Sequence, residues 1–260
     1  MAKQTTPRRR VAVMIPTYNE SENLPRLLDE ILATGVVDLC VVVDDNSPDG
    51  TGALADAYAQ SHKGKVAVVH RFKRRGRGTA GIEGMLHAVK WGATYVIEMD
   101  ADFSHHPRYL PDLVRAMETP GCDIAIGSRF VAGGADLDRG LYRKTVTRLA
   151  GWYVRYMLGV KIRDVSSGFR CFRREVLEAI DLENLLSVGP SIVLEILYKS
   201  VLRGFRCQEV PIVFRDRRQG TTKLDYITLL ETMVMVLRLR KMGKTGSFWP
   251  MGGAAQPKRG

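Results

Sequence analysis

The sequence has little that would cross-link the chain or anchor it in a membrane. Its 260 residues include 4 cysteines, which lie far apart and form no Cys-x-x-Cys pair. We therefore expect buried, reduced thiols and a reducing compartment. No uninterrupted apolar run reaches the roughly 18 residues that a membrane-spanning helix needs. The apolar stretch VAVMIP, after a polar and basic N-terminus, is too short for a signal-peptide core.

Acidic residues are too few to balance the basic ones. The chain has 39 Lys and Arg against 28 Asp and Glu, which gives a formal net charge of +11. Such a surface favours anionic partners, namely nucleic acid, nucleotides, phosphates or an anionic membrane, without choosing among them. A basic surface with no specific partner is the alternative.

Short apolar strands alternate with helical patterns, which predicts an α/β fold with a mainly parallel sheet covered by helices on both faces. The predicted strands are 11–16, 39–45, 66–71, 94–100, 122–130 and 206–217. The predicted helices are 21–35, 51–61, 80–92, 141–160 and 225–242. We expect one α/β domain over 11–224, an apolar helix over 225–242 suited to an interface, and flexible tails at 1–10 and 243–260.

Carboxylates stand where two predicted strands end. Asp44-Asp45 closes one strand and Asp100-Ala101-Asp102 closes another. Ligands of such folds bind beyond the carboxyl ends of the strands, so both groups should share one crevice. Two neighbouring carboxylates repel each other unless a cation or proton lies between them. Oxygen ligands select Mg²⁺ or Mn²⁺, and Mg²⁺ completes its shell with waters and substrate phosphates.

Two other interpretations of this segment are weighed against the magnesium or manganese site. A turn with solvated aspartates is as good an interpretation of so short a motif. His105 and His106 suggest zinc, but adjacent histidines usually face different ways, and Pro107 is typical of a helix start. We therefore do not favour zinc.

Seven motifs in one order resemble the family-2 glycosyltransferases of the GT-A fold, a Rossmann-like nucleotide-diphospho-sugar transferase fold. They are IPTYNESENLP, VVVDDNSPDGT, GTAGIEGMLHAV, MDADFSHHP, GSRFVAGG, SSGFRCFRREVL and EVPIVFRDRRQGTTKL. Within the family, the chain is most similar to the polyprenyl-phosphate (dolichyl-phosphate) mannosyltransferases, the dolichol-phosphate-mannose synthase group. The resemblance implies a catalytic domain that transfers mannose from GDP-α-mannose to a polyprenyl phosphate. The product would be polyprenyl phosphate β-mannose, formed with inversion and with Mg²⁺ or Mn²⁺ as cofactor.

The resemblance also assigns roles to residues. Those that match the donor-binding strips are Pro16, Tyr18, Glu20, Val43 and Asp45. Those that match the donor and metal signature are Asp100, Ala101 and Asp102, with Ser104 where relatives offer a further metal ligand. Those that match the basic residues around the phosphates and the acceptor are Arg129, Arg217 and Lys223. Phe103 replaces the usual Leu, and we expect this change to be silent.

Asp164, ahead of SSGF, is the best candidate for a carboxylate near the reacting groups. A helix cap or a salt bridge is an equally good interpretation. No general base is required, because the acceptor is already an ionised phosphate. Together, the resemblance and the position of Asp164 predict four catalytic residues, which are Asp102, Arg129, Asp164 and Arg217.

The implied acceptor is a membrane lipid, so the chain should act at a membrane surface. Residues 141–163 combine six basic residues with Trp152, Tyr153 and Tyr156, and 226–243 is apolar with a basic end. Both patterns suit an anionic interface, although either segment could be an ordinary surface helix. Similarity to short relatives implies a membrane-anchoring partner subunit and a place on the cytoplasmic face. Contact with phosphates or lipid headgroups is one interpretation of the basic loop 71–78, but such runs are usually solvated.

Other functions stay open at this point. A glucosyl transfer from UDP-glucose to the same lipid phosphate uses overlapping motifs. Transfer to a sugar hydroxyl would need a general base, for which Asp164 is the candidate. A nucleic-acid-binding module fits the charge, but the chain has no recognisable nucleic-acid motif and places its basic residues beside carboxylates, so we expect no nucleic-acid partner.

Overall fold

A seven-stranded sheet forms the centre of the molecule in the computed structural model, which describes residues 9–72, 76–137, 140–187, 189, 191–215, 226–246 and 248. Within these residues the strands are β1 (Val11–Thr17), β2 (Leu39–Asp44), β3 (Val66–His70), β4 (Tyr95–Glu98), β5 (Ile124–Ser128), β6 (Ala135–Leu137), β7 (Arg170–Arg173), β8 (Cys207–Pro211) and β9 (Val213–Arg215). The α-helices are α1 (Leu24–Ala33), α2 (Thr51–Ser61), α3 (Arg77–Trp91), α4 (Leu110–Glu118), α5 (Leu141–Leu158), α6 (Arg174–Ala179), α7 (Ile192–Leu202) and α8 (Tyr226–Thr245).

The strand order confirms the predicted α/β fold with a mainly parallel sheet. The order is β3-β2-β1-β4-β7-β5-β8, and β6 pairs with β9 in a separate small sheet. Strand β7 is antiparallel to both of its neighbours, whereas the other neighbours in the large sheet are parallel. The sequence reading placed no strand at β7, and it joined β8 and β9 into one strand. The parallel half, β3-β2-β1-β4, brings the two carboxylate groups to one edge.

Alternate side chains of the central strands supply two hydrophobic cores. On β1, Val11, Val13 and Ile15 point into the core that α1 and α4 cover. Ala12 and Met14 point into the opposite core, which α3 covers. Strand β2 is buried along its whole length, as expected for a parallel strand with helices on both faces.

Helix α3 lies so close to the sheet that a side chain at Gly84 has no room. A Cβ atom there would lie 2.9 Å from Val43 Cγ2 and 3.0 Å from Met14 Cβ. The glycine therefore lets the helix backbone approach β1 and β2 directly. This approach places the first turn of α3, which begins at Arg77, beside the end of β4.

Helix α8 belongs to the hydrophobic core rather than standing apart from it. Val236 and Leu239 are fully buried in the core that also holds residues of α5 and α7. The helix runs to Thr245, past the end at 242 that the sequence predicted. The described helices include none that is long and apolar enough to cross a membrane. The limits of the predicted domain itself stay a prediction.

The cysteines carry no disulfide, as the sequence predicted. Cys40, Cys122 and Cys171 are buried and Cys207 is half-buried, and all four are free thiols. Burial raises the pKa of Cys40 and that of Cys207 to about 12. These two groups are therefore protonated thiols near neutral pH and contribute as packing atoms.

Candidate active site

Three loops meet at the carboxyl edge of β2, β1 and β4. The register pairs Pro16 with Val43, so two residues predicted to bind the donor lie side by side. Each loop contains one non-glycine residue in the left-handed region, with φ between 57° and 59°. These residues are Asn19, Asn46 and Phe103. Asparagine tolerates this conformation but phenylalanine rarely adopts it, so the turn after the Asp-x-Asp motif is strained.

The loops after β1 and β2 are tied together by polar side chains. Asp44 is buried and accepts hydrogen bonds from Thr17 Oγ1 (3.3 Å) and from the Ser47 amide (3.1 Å). The Glu20 amide donates to Thr51 Oγ1 at 2.9 Å. Asp44 thus supports the loop that follows β2. Tyr18, predicted to contact the donor, has 49% of its surface exposed beside this scaffold.

Asp45 holds a buried arginine that the sequence reading took for a solvated one. Arg71 is only 4% exposed, and Nη1 donates to the Asp45 carboxylate. Its Nε donates to Glu83 (2.8 Å) and its Nη2 to Thr79 (2.6 Å). The Gly76 amide donates to Asp45 at 2.7 Å. This network fixes the start of α3 at the crevice, and the interpretation of Arg71 as solvated was wrong.

The Asp-x-Asp carboxylates meet a cation from within the chain. The guanidinium of Arg77, in the first turn of α3, forms an ion pair with Asp100. The charge of Asp100, with smaller contributions from Glu98 and Asp102, raises the pKa of Arg77 above its ordinary value. Arg77 also packs over Gly168, where a Cβ atom would lie 2.6 Å from Nη2. Sequence reasoning missed Arg77, because its pattern resembles any basic loop.

His105 is buried under the carboxylate loop and supports it. Its Nδ1 accepts a hydrogen bond from the Asp100 amide at 3.3 Å, and its ring stacks on Phe169 with centroids 5.0 Å apart. Burial lowers the pKa of His105, so its ring is neutral at pH 7 and its Nδ1 can accept. At the end of β4, burial raises the pKa of Glu98 to about 7. The second histidine, His106, faces elsewhere and caps the turn at Pro107.

The donor set of this loop fits a divalent ion that substrate phosphates help to coordinate. The described residues include no group of three or more His, Cys, Asp or Glu side chains that could hold a metal by themselves. Mg²⁺ takes one or two carboxylates and completes its shell with waters and phosphates. In the structure the Arg77 guanidinium pairs with the Asp100 carboxylate, which shows that this carboxylate attracts a positive charge. Asp102 accepts from the Ser104 amide at 3.0 Å, and both Ala101 and Ser104 are buried.

Arg129 and Asp164 form a buried, two-pronged ion pair next to the carboxylate loop. Arg129 Nε lies 2.8 Å from Asp164 Oδ2 and Nη2 lies 2.7 Å from Oδ1. Their side chains are 6% and 0% exposed. Burial alone would raise the pKa of Asp164, but the hydrogen bonds from Arg129 lower it below its ordinary value. The same bonds raise the pKa of Arg129 despite its burial. This geometry favours the salt-bridge interpretation of Asp164.

One aromatic ring joins the two groups. The His105 ring meets Phe214, of β9, edge-on with centroids 5.9 Å apart. The Arg129 guanidinium lies 5.2 Å from the centre of the same ring. The structure therefore brings Asp100, with the loop that carries it, and the Arg129–Asp164 pair to one crevice. Sequence reasoning missed Phe214, since a single aromatic in a strand carries no signal of its role. Arg217 and Lys223 lie outside the described residues.

Comparison with known proteins adds the family. Residues 12–181 match the model of glycosyl transferase family 2. A polyprenol monophosphomannose synthase of Mycolicibacterium smegmatis is 40% identical over 230 residues, covering 88% of this chain and 86% of that protein. An undecaprenyl-phosphate mannosyltransferase of Micrococcus luteus is 39% identical over 233 residues, covering 88% and 93%.

Solved structures support the fold. The chain resembles a glucosyl-3-phosphoglycerate synthase of Mycobacterium tuberculosis in complex with Mn²⁺, UDP and glucosyl-3-phosphoglycerate. The TM-score is 0.63 at 20% identity, over 92% of this chain and 80% of that one. A complex of that synthase with Mg²⁺ and UDP gives 0.64 at 21% identity, over 92% and 80%. The family match, the two relatives and the shared GT-A fold agree with the motifs in the sequence. This chain therefore belongs to glycosyl transferase family 2 and is a glycosyltransferase.

Proposed function

We propose that the enzyme transfers mannose from GDP-α-mannose to a polyprenyl phosphate, with inversion, to give polyprenyl phosphate β-mannose. The observation that carries this proposal is the identity of about 40% over 88% of the chain with two relatives whose names specify mannose and a polyprenyl acceptor. The crevice supports it, because Phe214 contacts both Arg129 and His105, and His105 in turn contacts Asp100, so that positive and negative groups lie close together. A diphosphate donor and a phosphate acceptor require both kinds of group.

The reaction needs no proton acceptor at the attacking atom. A phosphate monoester is ionised at neutral pH, so one of its oxygens attacks the anomeric carbon directly. The protein's task is then to position two anions and to balance their charge. Arg129 suits this task, since Asp164 holds its Nε and Nη2 in place. Among the described residues Nη1 has no partner, and we propose that it donates to a phosphate oxygen.

The departing nucleotide diphosphate needs a second positive charge. We propose that Asp100 and Asp102 hold Mg²⁺ or Mn²⁺, with Ser104 contributing directly or through a water. When bound, the ion neutralises charge that develops on the leaving diphosphate. Pro16, Tyr18, Glu20, Val43 and Ala101 would line the donor site, and Asp45 would shape it through Arg71 and Gly76. Arg217 and Lys223 are proposed to join them from the segment outside the described residues.

Two neighbouring helices present apolar surface that suits a peripheral membrane enzyme. Helix α5 exposes Leu149 (62%), Trp152 (58%) and Tyr156 (70%). Helix α8 packs beside it, with the Tyr153 hydroxyl 3.4 Å from the Met233 carbonyl, and exposes Leu230 at 63%. Apolar and aromatic groups on basic helices bind the headgroup region of anionic membranes. We propose that this face meets the cytoplasmic side of the membrane, alone or with an anchoring subunit.

A transfer assay with purified protein tests the proposal. The reaction contains Mg²⁺ or Mn²⁺, a short polyprenyl phosphate, and either GDP-mannose or UDP-glucose. We expect mannosyl-lipid from GDP-mannose only, lost when a chelator removes the metal. If glucosyl-lipid forms from UDP-glucose and no product forms from GDP-mannose, the donor is UDP-glucose, and the proposed acceptor and mechanism stand. If neither donor reacts, even with membranes present to supply an anchoring subunit, the proposed reaction is wrong.

Arg77 gives a prediction that does not depend on turnover. Replacing Arg77 by Leu should tighten Mn²⁺ binding to the nucleotide-free protein about tenfold. A unit charge a few ångströms from a divalent ion costs on the order of 1.4 kcal/mol in a solvated site. Electron paramagnetic resonance of free Mn²⁺ measures the affinity. Arg77→Lys keeps the charge and serves as the matched control. Unchanged or weaker Mn²⁺ binding in Arg77→Leu would show that Arg77 does not compete for the site.

A further inference from the structure

A basic pocket lies beside the crevice, and four of its five lining residues lie outside the seven motifs. It has a volume of about 310 Å³ and is lined by Phe130, Arg148, Gly151, Arg155 and Arg163. Three of the five lining residues are arginines. The described acids include none within ion-pair distance of these three, whereas Arg71, Arg77 and Arg129 each have a carboxylate partner. The pocket therefore holds uncompensated positive charge, which indicates an anionic ligand.

The pocket is adjacent to the proposed reaction site. The ring of Phe130 lies 5.1 Å from the guanidinium carbon of Arg129, so a single ring separates the pocket from the Arg129–Asp164 pair. Arg163 directly precedes Asp164, and its own amide is held by Glu209 at 2.9 Å. Arg155 Nη1 donates to the Arg163 carbonyl at 3.4 Å, which ties α5 to this loop. A ligand in the pocket is therefore close to the crevice without entering it.

Helical geometry places the pocket next to the apolar face of α5. Arg148, Gly151 and Arg155 follow one another at i, i+3 and i+7, and thus share one stripe of the helix. Leu149, Trp152 and Tyr156 follow the same spacing one residue later, which turns their stripe by about 100°. The Trp152 and Tyr156 rings stack with centroids 5.6 Å apart. One helix thus offers a basic pocket and an exposed aromatic edge side by side.

We infer that this pocket binds the phosphate group of a membrane lipid. Guanidinium groups bind phosphate oxygens through two parallel hydrogen bonds, and an adjacent aromatic stripe suits the boundary between headgroups and acyl chains. The phosphate can come from a bilayer phospholipid, which would dock the enzyme, or from the polyprenyl phosphate on its way to the crevice. The second source rests on the proposed function, whereas the first does not.

Two binding measurements test the pocket, both without donor substrate or turnover. The first is sedimentation with phosphatidylcholine vesicles that contain about one fifth phosphatidylglycerol. Each basic residue near such a surface contributes about 1 kcal/mol, so Arg148→Gln/Arg155→Gln should weaken vesicle binding about thirty-fold if the phospholipid is the ligand. The second is calorimetric titration with a short, soluble isoprenyl phosphate. A loss of affinity confined to this titration would identify the acceptor as the ligand.

Matched variants separate the pocket from net charge and from folding. Lys63→Gln/Lys65→Gln removes the same charge near the start of β3, at the opposite edge of the sheet. Arg148→Lys/Arg155→Lys keeps the charge. Gly151→Leu fills the pocket without changing any charge, and a Cβ atom there meets nothing within 4 Å. We expect Gly151→Leu to weaken the same binding as the arginine variant. The lysine variant keeps the charge but loses the paired guanidinium hydrogen bonds, so it should weaken binding less than the glutamine variant does.

The outcomes are distinct. The inference is overturned if both measurements are unaffected by the arginine variant, or if the control at Lys63 and Lys65 weakens binding equally. Failure of mannose transfer in the wild type would remove the proposed function and leave the vesicle result standing. Normal transfer by the wild type, with both binding measurements unchanged in the arginine variant, would overturn the inference about the pocket and leave the proposed function standing.

Discussion

Replacing Asp164 by Ala should lower the free energy of unfolding by about 3–5 kcal/mol and abolish transfer. The substitution leaves the Arg129 guanidinium buried without its counter-charge, which is the costly way to break a buried ion pair. It also frees Nε and leaves Nη2 with the Ser166 hydroxyl (2.7 Å), so the group that we propose to bind phosphate is held by one hydrogen bond instead of three. Urea unfolding followed by circular dichroism measures the first effect, and the mannosyl-transfer assay measures the second.

Two further variants separate stability from chemistry. Asp112 pairs with Arg115 on the exposed face of α4, so Asp112→Ala should change the unfolding free energy by less than about 1 kcal/mol. Arg129→Met/Asp164→Leu replaces the buried pair by apolar side chains of similar size. Such replacements are often neutral or stabilising, so we expect recovery of stability without recovery of transfer. A stable and active double variant would show that the pair is structural only.

Much of the fold could be predicted from the sequence, because its parallel half repeats one simple pattern. Strands β1 and β2 are largely apolar, and α1 between them has the expected amphipathic period. Strand β7 was not predicted, since Arg170 opens it and is nonetheless fully buried. Its guanidinium donates to the carbonyls of Val193 (2.6 Å) and Val165 (2.8 Å). Sequence patterns treat arginine as a surface residue and do not detect such internal anchors.

Helix α7 was missed for a related reason. Its sequence, IVLEILYKSVL, is buried on every side, including Glu195 and Lys199. These two residues pair at 3.5 Å, and Glu195 also accepts from the amides of Leu186 and Ser187. A helix that is enclosed all round lacks the polar face from which an amphipathic period is recognised.

The candidate site also contains residues that the sequence predicts and residues that only the structure reveals. Asp100, Asp102, Arg129 and Asp164 could be named from the sequence, because they lie in motifs whose order is specific. Arg71 and Arg77 could not be distinguished from their neighbours in the basic loop 71–78. Their roles follow from position, since Arg71 comes one residue after β3 and Arg77 opens α3. Only the folded chain shows that both meet carboxylates at the edge of the sheet.

Replacing Asp102 by Ala should reduce transfer by about a thousandfold or more and remove most Mn²⁺ affinity in the presence of GDP. A site with two carboxylates relies on both of them, because nucleotide phosphates and water supply the remaining ligands. The fold should survive, since Asp102 lies in a loop after β4 rather than in a strand or helix of the core. Mn²⁺ electron paramagnetic resonance with GDP measures binding, and initial rates of mannosyl-lipid formation measure transfer.

Asp112→Ala again provides the matched control, because it removes one carboxylate that pairs with Arg115 on the exposed face of α4, outside the crevice loop. Asp102→Asn keeps the shape of the side chain and removes only its charge. We expect Asp102→Asn to lose Mn²⁺ affinity and transfer nearly as completely as Asp102→Ala, since the charge is what holds the ion. Wild-type Mn²⁺ affinity in both Asp102 variants would place the metal elsewhere. Lost transfer with intact metal binding would instead assign Asp102 to the sugar.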